Sequence, residues 1–102
     1  MGSFTDYLEN KVLDHVVGKT SFTMPATVAV ALFTAAPSDA GGGTEVTNAN
    51  NYARKTTAGT DWQAAASGAT QNSAAITFNV PSGSWGTVTH FAIFDSATYG
   101  AG

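Results

Sequence analysis

At 102 residues the chain has room for one domain with a modest core, spanning 1–102, and none for a second. Seven acidic against four basic residues give a net charge of −3 with no basic stripe, which excludes a phosphate-driven grip on nucleic acid. Cysteine is absent, excluding disulfides, thiolate metal sites and a thiol nucleophile together.

Met1-Gly2-Ser3 shows no basic lead into an apolar run, and no window approaches the ~20 apolar residues of a membrane span, so a soluble chain without a Sec signal is expected. Phe4, Leu8, Val12 and Val16 then recur every fourth residue, widened by Leu13 and Val17, with Asp6, Glu9, Asn10, Lys11 and Asp14 elsewhere on the wheel. This spacing predicts an amphipathic helix over about residues 4 to 17, capped by Ser3 and stopped at Gly18-Lys19. Its stripe is expected to pack on the chain's own sheet, the alternative being a helix that docks on a partner chain.

After the extended approach Ser21 to Pro25, Thr27-Val28-Ala29-Val30-Ala31-Leu32-Phe33-Thr34 places Val28, Val30 and Leu32 on one face and Ala29, Ala31 and Phe33 on the other. With neither face polar, this strand belongs in the middle of a sheet, covered on both sides. From Pro37 to Asn51 the chain has no period, carries Asp39, Gly41-Gly42-Gly43 and three asparagines, and reads as an exposed loop with Thr44 to Thr47 extended. Tyr52 to Thr57 can alternate as a strand, and Trp62 anchors a weaker extended piece. Ala75 to Val80 predicts a half-buried strand through Ile76, Phe78 and Val80, stopped by Pro81. Thr87 to Phe94 predicts a last strand that becomes two-sided and neighbours the central one, and Asp95 to Gly102 reads as a turn with no strand after it. The whole predicts an α+β domain: one N-terminal amphipathic helix packed on a mainly antiparallel β-sheet or β-sandwich.

Chemistry is hard to place on this chain. Gly18-Lys19-Thr20 lacks the upstream glycine of a phosphate loop, and the Gly41 to Gly43 run lacks dinucleotide spacing and reads as a floppy turn. His15 and His90 are far apart in sequence, and the acidic residues Asp39, Glu45 and Asp61 read as solvated loop charges, so neither a metal nor another cofactor is expected. Ser96, His90 and Asp95 make a hydrolytic triad only on paper, with no nucleophile elbow, and no catalytic residue is assigned. Trp62, Tyr52, Trp85 and Tyr99 suit core and interface anchoring better than a sugar-stacking platform.

Three blocks carry a resemblance: Ser3-Phe4-Thr5-Asp6-Tyr7-Leu8-Glu9-Asn10-Lys11-Val12-Leu13-Asp14-His15, the run from Phe22 to Pro37, and Trp85-Gly86-Thr87-Val88-Thr89-His90-Phe91-Ala92-Ile93-Phe94-Asp95. Gly43-Thr44-Glu45-Val46 and Tyr52-Ala53-Arg54 fall between them in order. Together they resemble the small tailed-bacteriophage virion proteins described as phage tail fibre proteins. The resemblance implies a non-enzymatic structural part of the virion exterior, assembled in the host bacterial cytoplasm, whose partners are other virion proteins of the tail or the major capsid protein, with further copies of itself. A capsid-decorating or cement protein is the alternative within that class, and a carbohydrate-binding, receptor-recognising module the alternative outside it. Relatives tend to continue past Phe94-Asp95 with further strand-forming sequence, so the last strand's edge is expected to be covered by another chain. Asp39, Gly41, Gly42, Gly43, Phe94 and Tyr99 are the candidate partner-contact residues.

Overall fold

The computed structural model describes residues 4–38 and 40–101. The order is a helix α1 (Asp6–Val16), then strands β1 (Val28–Ala35), β2 (Thr44–Glu45), β3 (Lys55–Thr57) and β4 (His90–Phe94), with one 3-10 turn at Gly59–Asp61. Among the described residues the four strands pair antiparallel, each through β1, which confirms the α+β class and the central strand.

Both edges of β1 are taken. Phe33 pairs with Glu45 and with His90, and Ala29 pairs with Thr56 and with Phe94, so β2 and β3 lie end to end on one edge while β4 runs along the other. Between β2 and β3 the ladder has a gap, filled by the Tyr52 hydroxyl, which accepts the Leu32 N–H at 3.1 Å. Ala29, Ala31 and Phe33 are buried on the inner face. On the outer face Val30 is buried, but Val28 and Leu32 are only half-buried, so the expected double cover is incomplete.

The helix forms where its spacing placed it, with Thr5 capping through its hydroxyl to the Leu8 N–H; Ser3, the expected cap, lies outside the described residues. Its packing on the sheet is not found. No residue of α1 is buried, Val16 is 74% exposed, and the helix makes no extended contact with any strand. Next to the inner face, the carbonyls of Ser96 and Ala101 are instead held by Arg54, whose guanidinium lies over Phe94. The helix is held at its end by Lys19 and Thr20 N–H groups donating to the Asp14 carbonyl and by the Phe22 N–H donating to His15 Nδ1. The radius of gyration, 14.8 Å, accordingly exceeds the ~13 Å of a compact chain of this length.

The glycine run is structured where a floppy turn was expected. Ser38 and Gly41 exchange backbone hydrogen bonds, and Gly43, at φ 74°, lies so close to β1 that a Cβ there would sit 2.8 Å from the Ala35 carbonyl oxygen. Only glycine allows both the left-handed backbone and that approach, and the turn leads straight into β2. Ala75 to Val80 forms no strand: Ile76 and Phe78 are half-buried and Val80 is exposed. No free edge of β1 remains for it, and its segment is held by asparagines instead. Asn51 Nδ2 donates to the Val80 carbonyl, Asn79 Nδ2 to the Asn51 carbonyl and Asn50 Nδ2 to the Ser84 carbonyl, while the Asn50 carbonyl accepts from Ser82 N–H and Trp85 Nε1.

Candidate interaction surface

Among the described residues, beside single exposed apolar side chains such as Met24 and Val80, two groups of them are open to solvent. The first is the helix, where Tyr7, Leu13, Val16 and Val17 are all more than half exposed. The second is the outer side of β4, where Phe91 is 66% and Ile93 54% exposed, beside Val88. Among the described residues no strand pairs with the outer edge of β4. Isolated exposed apolar residues are ordinary, but a run of them on one strand edge marks a place of association.

Beneath this surface lies a buried ion pair that fixes β4 and the chain end. Arg54, whose side chain is 1% exposed, donates from Nε and Nη2 to the two oxygens of Glu45 at 3.0 and 2.9 Å. Its Nη1 donates to the main-chain carbonyls of Ser96 and Ala101, at 3.0 and 2.6 Å, so the guanidinium ties down the chain end at those two points. The same group lies 3.9 Å over the Phe94 ring, which in turn stacks on Phe33. Glu45 is therefore no solvated loop charge, and no sequence pattern marked it as Arg54's partner. The Arg54 fork matches a carboxylate bidentately, and four of its five donors are satisfied.

Tyr52 completes the cluster by donating to Glu45 Oε2 at 2.7 Å, and the rings of Trp85 and Tyr99 meet its ring edge-on. Burial pushes the Tyr52 phenol pKa up, and the adjacent carboxylate adds to that, so the donor proton stays in place. For Glu45, burial pushes the pKa up, but hydrogen bonds from Arg54 and Tyr52 and the guanidinium charge outweigh it and hold the carboxyl below its ordinary value. A depressed value in the folded state means stability that is complete above the unfolded value of about 4.3 and is lost as pH falls through the folded one. Thermal melts should thus show a steep loss below about pH 4, flattened in Glu45→Gln. An equally steep acid limb in that variant would place the responsible carboxylate elsewhere.

The sequence-predicted contact residues scatter. Asp39 lies outside the described residues, Gly41 to Gly43 form the β1–β2 turn, Phe94 is packed between Phe33 and Arg54, and Tyr99 is 39% exposed at the rim of the cluster. The paper triad is not assembled as one: His90 Nδ1 lies 2.9 Å from the Thr89 hydroxyl, and the Ser96 hydroxyl accepts the Thr98 N–H. Asp61 caps its 3-10 turn by accepting the Ala58 N–H. The aromatic residues form no flat platform, since Trp85 and Tyr99 stand perpendicular to Tyr52, and Trp62 sits apart with Nε1 donating to the Thr57 hydroxyl. Among the described residues no His, Cys, Asp and Glu cluster could hold a metal ion, and no helix is long and apolar enough to cross a membrane.

A family model described as Podophage GP4 fiber I protein gp80 matches residues 3–102. Comparison with curated proteins finds no match.

Proposed function

The chain belongs to the Podophage GP4 fiber I protein gp80 family of phage fibre proteins, and from that membership we propose that it is a non-enzymatic, fibre-like subunit on the virion exterior, with α1 as the arm that docks on another virion protein. The observation that supports this reading is the helix itself. An 11-residue amphipathic helix with no buried side chain, held only by its Thr5 cap and by hydrogen bonds at its C-terminal end, gains little from packing in its own fold, and an isolated helix of that length is marginal in water. Its exposed Leu13, Val16 and Val17 are the side chains a groove on a partner would take, in the manner of other helix-in-groove contacts. The pairing of the four strands on β1 does not involve the arm.

Hydrogen exchange tests the assignment. Amides of α1 are expected to exchange rapidly in the isolated chain and to be strongly protected in assembled particles, while β1 is protected in both. Equal protection of α1 in the two states would mean that the helix is packed within its own subunit and docks on nothing.

A further inference from the structure

The open edge of β4 has a symmetry of its own. Leu32 directs its N–H to Tyr52 and its carbonyl to Val46, on the β2 side, so the alternate residues Ala29, Ala31 and Phe33 direct theirs to β4. Their partners Phe94, Ala92 and His90 answer them, which leaves the N–H and C=O groups of Phe91 and Ile93 pointing away from the sheet. Natural edges of this kind are blunted by lysine, proline or a mid-strand bulge. Thr87-Val88-Thr89-His90-Phe91-Ala92-Ile93-Phe94 has no lysine, no proline and no acidic residue, and β4 keeps an unbroken register with β1 from His90 to Phe94.

We propose that β4 pairs through this edge with β4 of a second copy of the chain, antiparallel about a twofold axis at Ala92. That register sets Phe91 opposite Ile93 of the partner copy, and Ile93 opposite the partner's Phe91. Each such pair joins two residues whose backbone groups both face the seam, so all four outward N–H groups find carbonyls. It also sets an aromatic ring against a β-branched side chain twice, on the face where both are exposed, a favourable cross-strand pairing. Shifting the axis by one residue keeps only one such self-pair at its centre and loses these two contacts. A copy of the chain is the occupant that the strand fits, because its outward groups and its side chains are both self-complementary about one residue. The two sheets then become one, running β1, β4, β4, β1 across the dimer.

This inference deepens the reading of the chain as an assembled virion part, and its test uses the isolated chain, so it can fail while helix docking in particles stands, and the reverse. Sedimentation of the wild-type chain at micromolar concentration is expected to give a dimer, and Ile93→Lys, at a site more than half exposed, a folded monomer. The chain has no cysteine, so Ala92→Cys is a clean probe: it faces itself across the seam at a non-hydrogen-bonded position, about 4.5 Å between Cα atoms, within disulfide reach. Mild oxidation should give a disulfide-linked dimer from Ala92→Cys and none from Leu13→Cys on the helix. A wild-type monomer at hundreds of micromolar, a dimer unmoved by Ile93→Lys, or cross-linking at Leu13→Cys and not at Ala92→Cys would each overturn the proposal. If Ala92→Cys does not fold, the sedimentation pair decides alone.

Discussion

Arg54→Ala is expected to destabilise the chain by about 3–5 kcal/mol, a large share of the roughly 5–15 kcal/mol of a domain this size. The cost comes mainly from what is left behind: Glu45, its side chain 9% exposed, keeps a charge answered by the Tyr52 hydroxyl and the Gly100 backbone N–H but by no cation, and the carbonyls of Ser96 and Ala101 lose their donor. Arg54→Lys should recover little, since an ammonium cannot span both carboxylate oxygens and two carbonyls in one plane. Removing both charges is different, because a buried pair replaced by apolar groups of similar volume is often nearly neutral. Glu45→Leu with Arg54→Met is therefore expected to be more stable than Arg54→Ala alone, and chemical denaturation of the three variants measures the difference. An Arg54→Ala loss below about 1 kcal/mol would mean that water reaches the pair and that the chain end is not held by it.

Phe33→Ala should be nearly as costly, about 3–5 kcal/mol, as for other buried aromatics. Phe33 is 3% exposed, and its ring is the floor on which Phe94 and then the guanidinium of Arg54 are layered. Truncation leaves a void under Phe94 that the short side chains of Ala29, Ala31 and Ala92 cannot fill. The loss should not be additive with that of Arg54→Ala, since both act on the one stack. An unchanged melting temperature would show that Phe33 is not part of the core.

What could be read from the residues was what repeats along the chain. The run from Val28 to Phe33 was legible because alternation is a local signal, and so were α1, the stop at Gly18 and a last strand ending at Phe94, although that strand begins at His90, not Thr87, and leaves Phe91 and Ile93 exposed where cover on both faces was expected. The Glu45–Arg54 pair was not, because its members lie on different strands, β2 and the approach to β3, and meet only when both dock on β1. One trace of it was available: Tyr52 and Arg54 share a face, and an arginine alternating with a buried tyrosine needs an acid within reach. The strand expected at Ala75 to Val80 failed for a topological reason, since alternation reports a preference for pairing but not whether any partner edge is vacant. The packing of α1 failed likewise, because an apolar stripe says that it wants cover and not which chain supplies it.

The order in which the strands reach β1 bears on how the chain emerges from the ribosome. β2 and β3 follow within about 30 residues and can pair early, but Ala29 meets Phe94 only about 65 residues later. At synthesis rates of about 5–20 residues per second, one edge of a strand that is apolar on both faces stays vacant for several seconds. During that interval the nascent chain presents Val28 to Phe33 to whatever strand comes near, including the same segment on a neighbouring polysome product. The asparagine-held stretch from Asn79 to Trp85 brings β4 back across that distance, so slowing its closure should show first as inclusion bodies in the host and only second as a lower melting temperature.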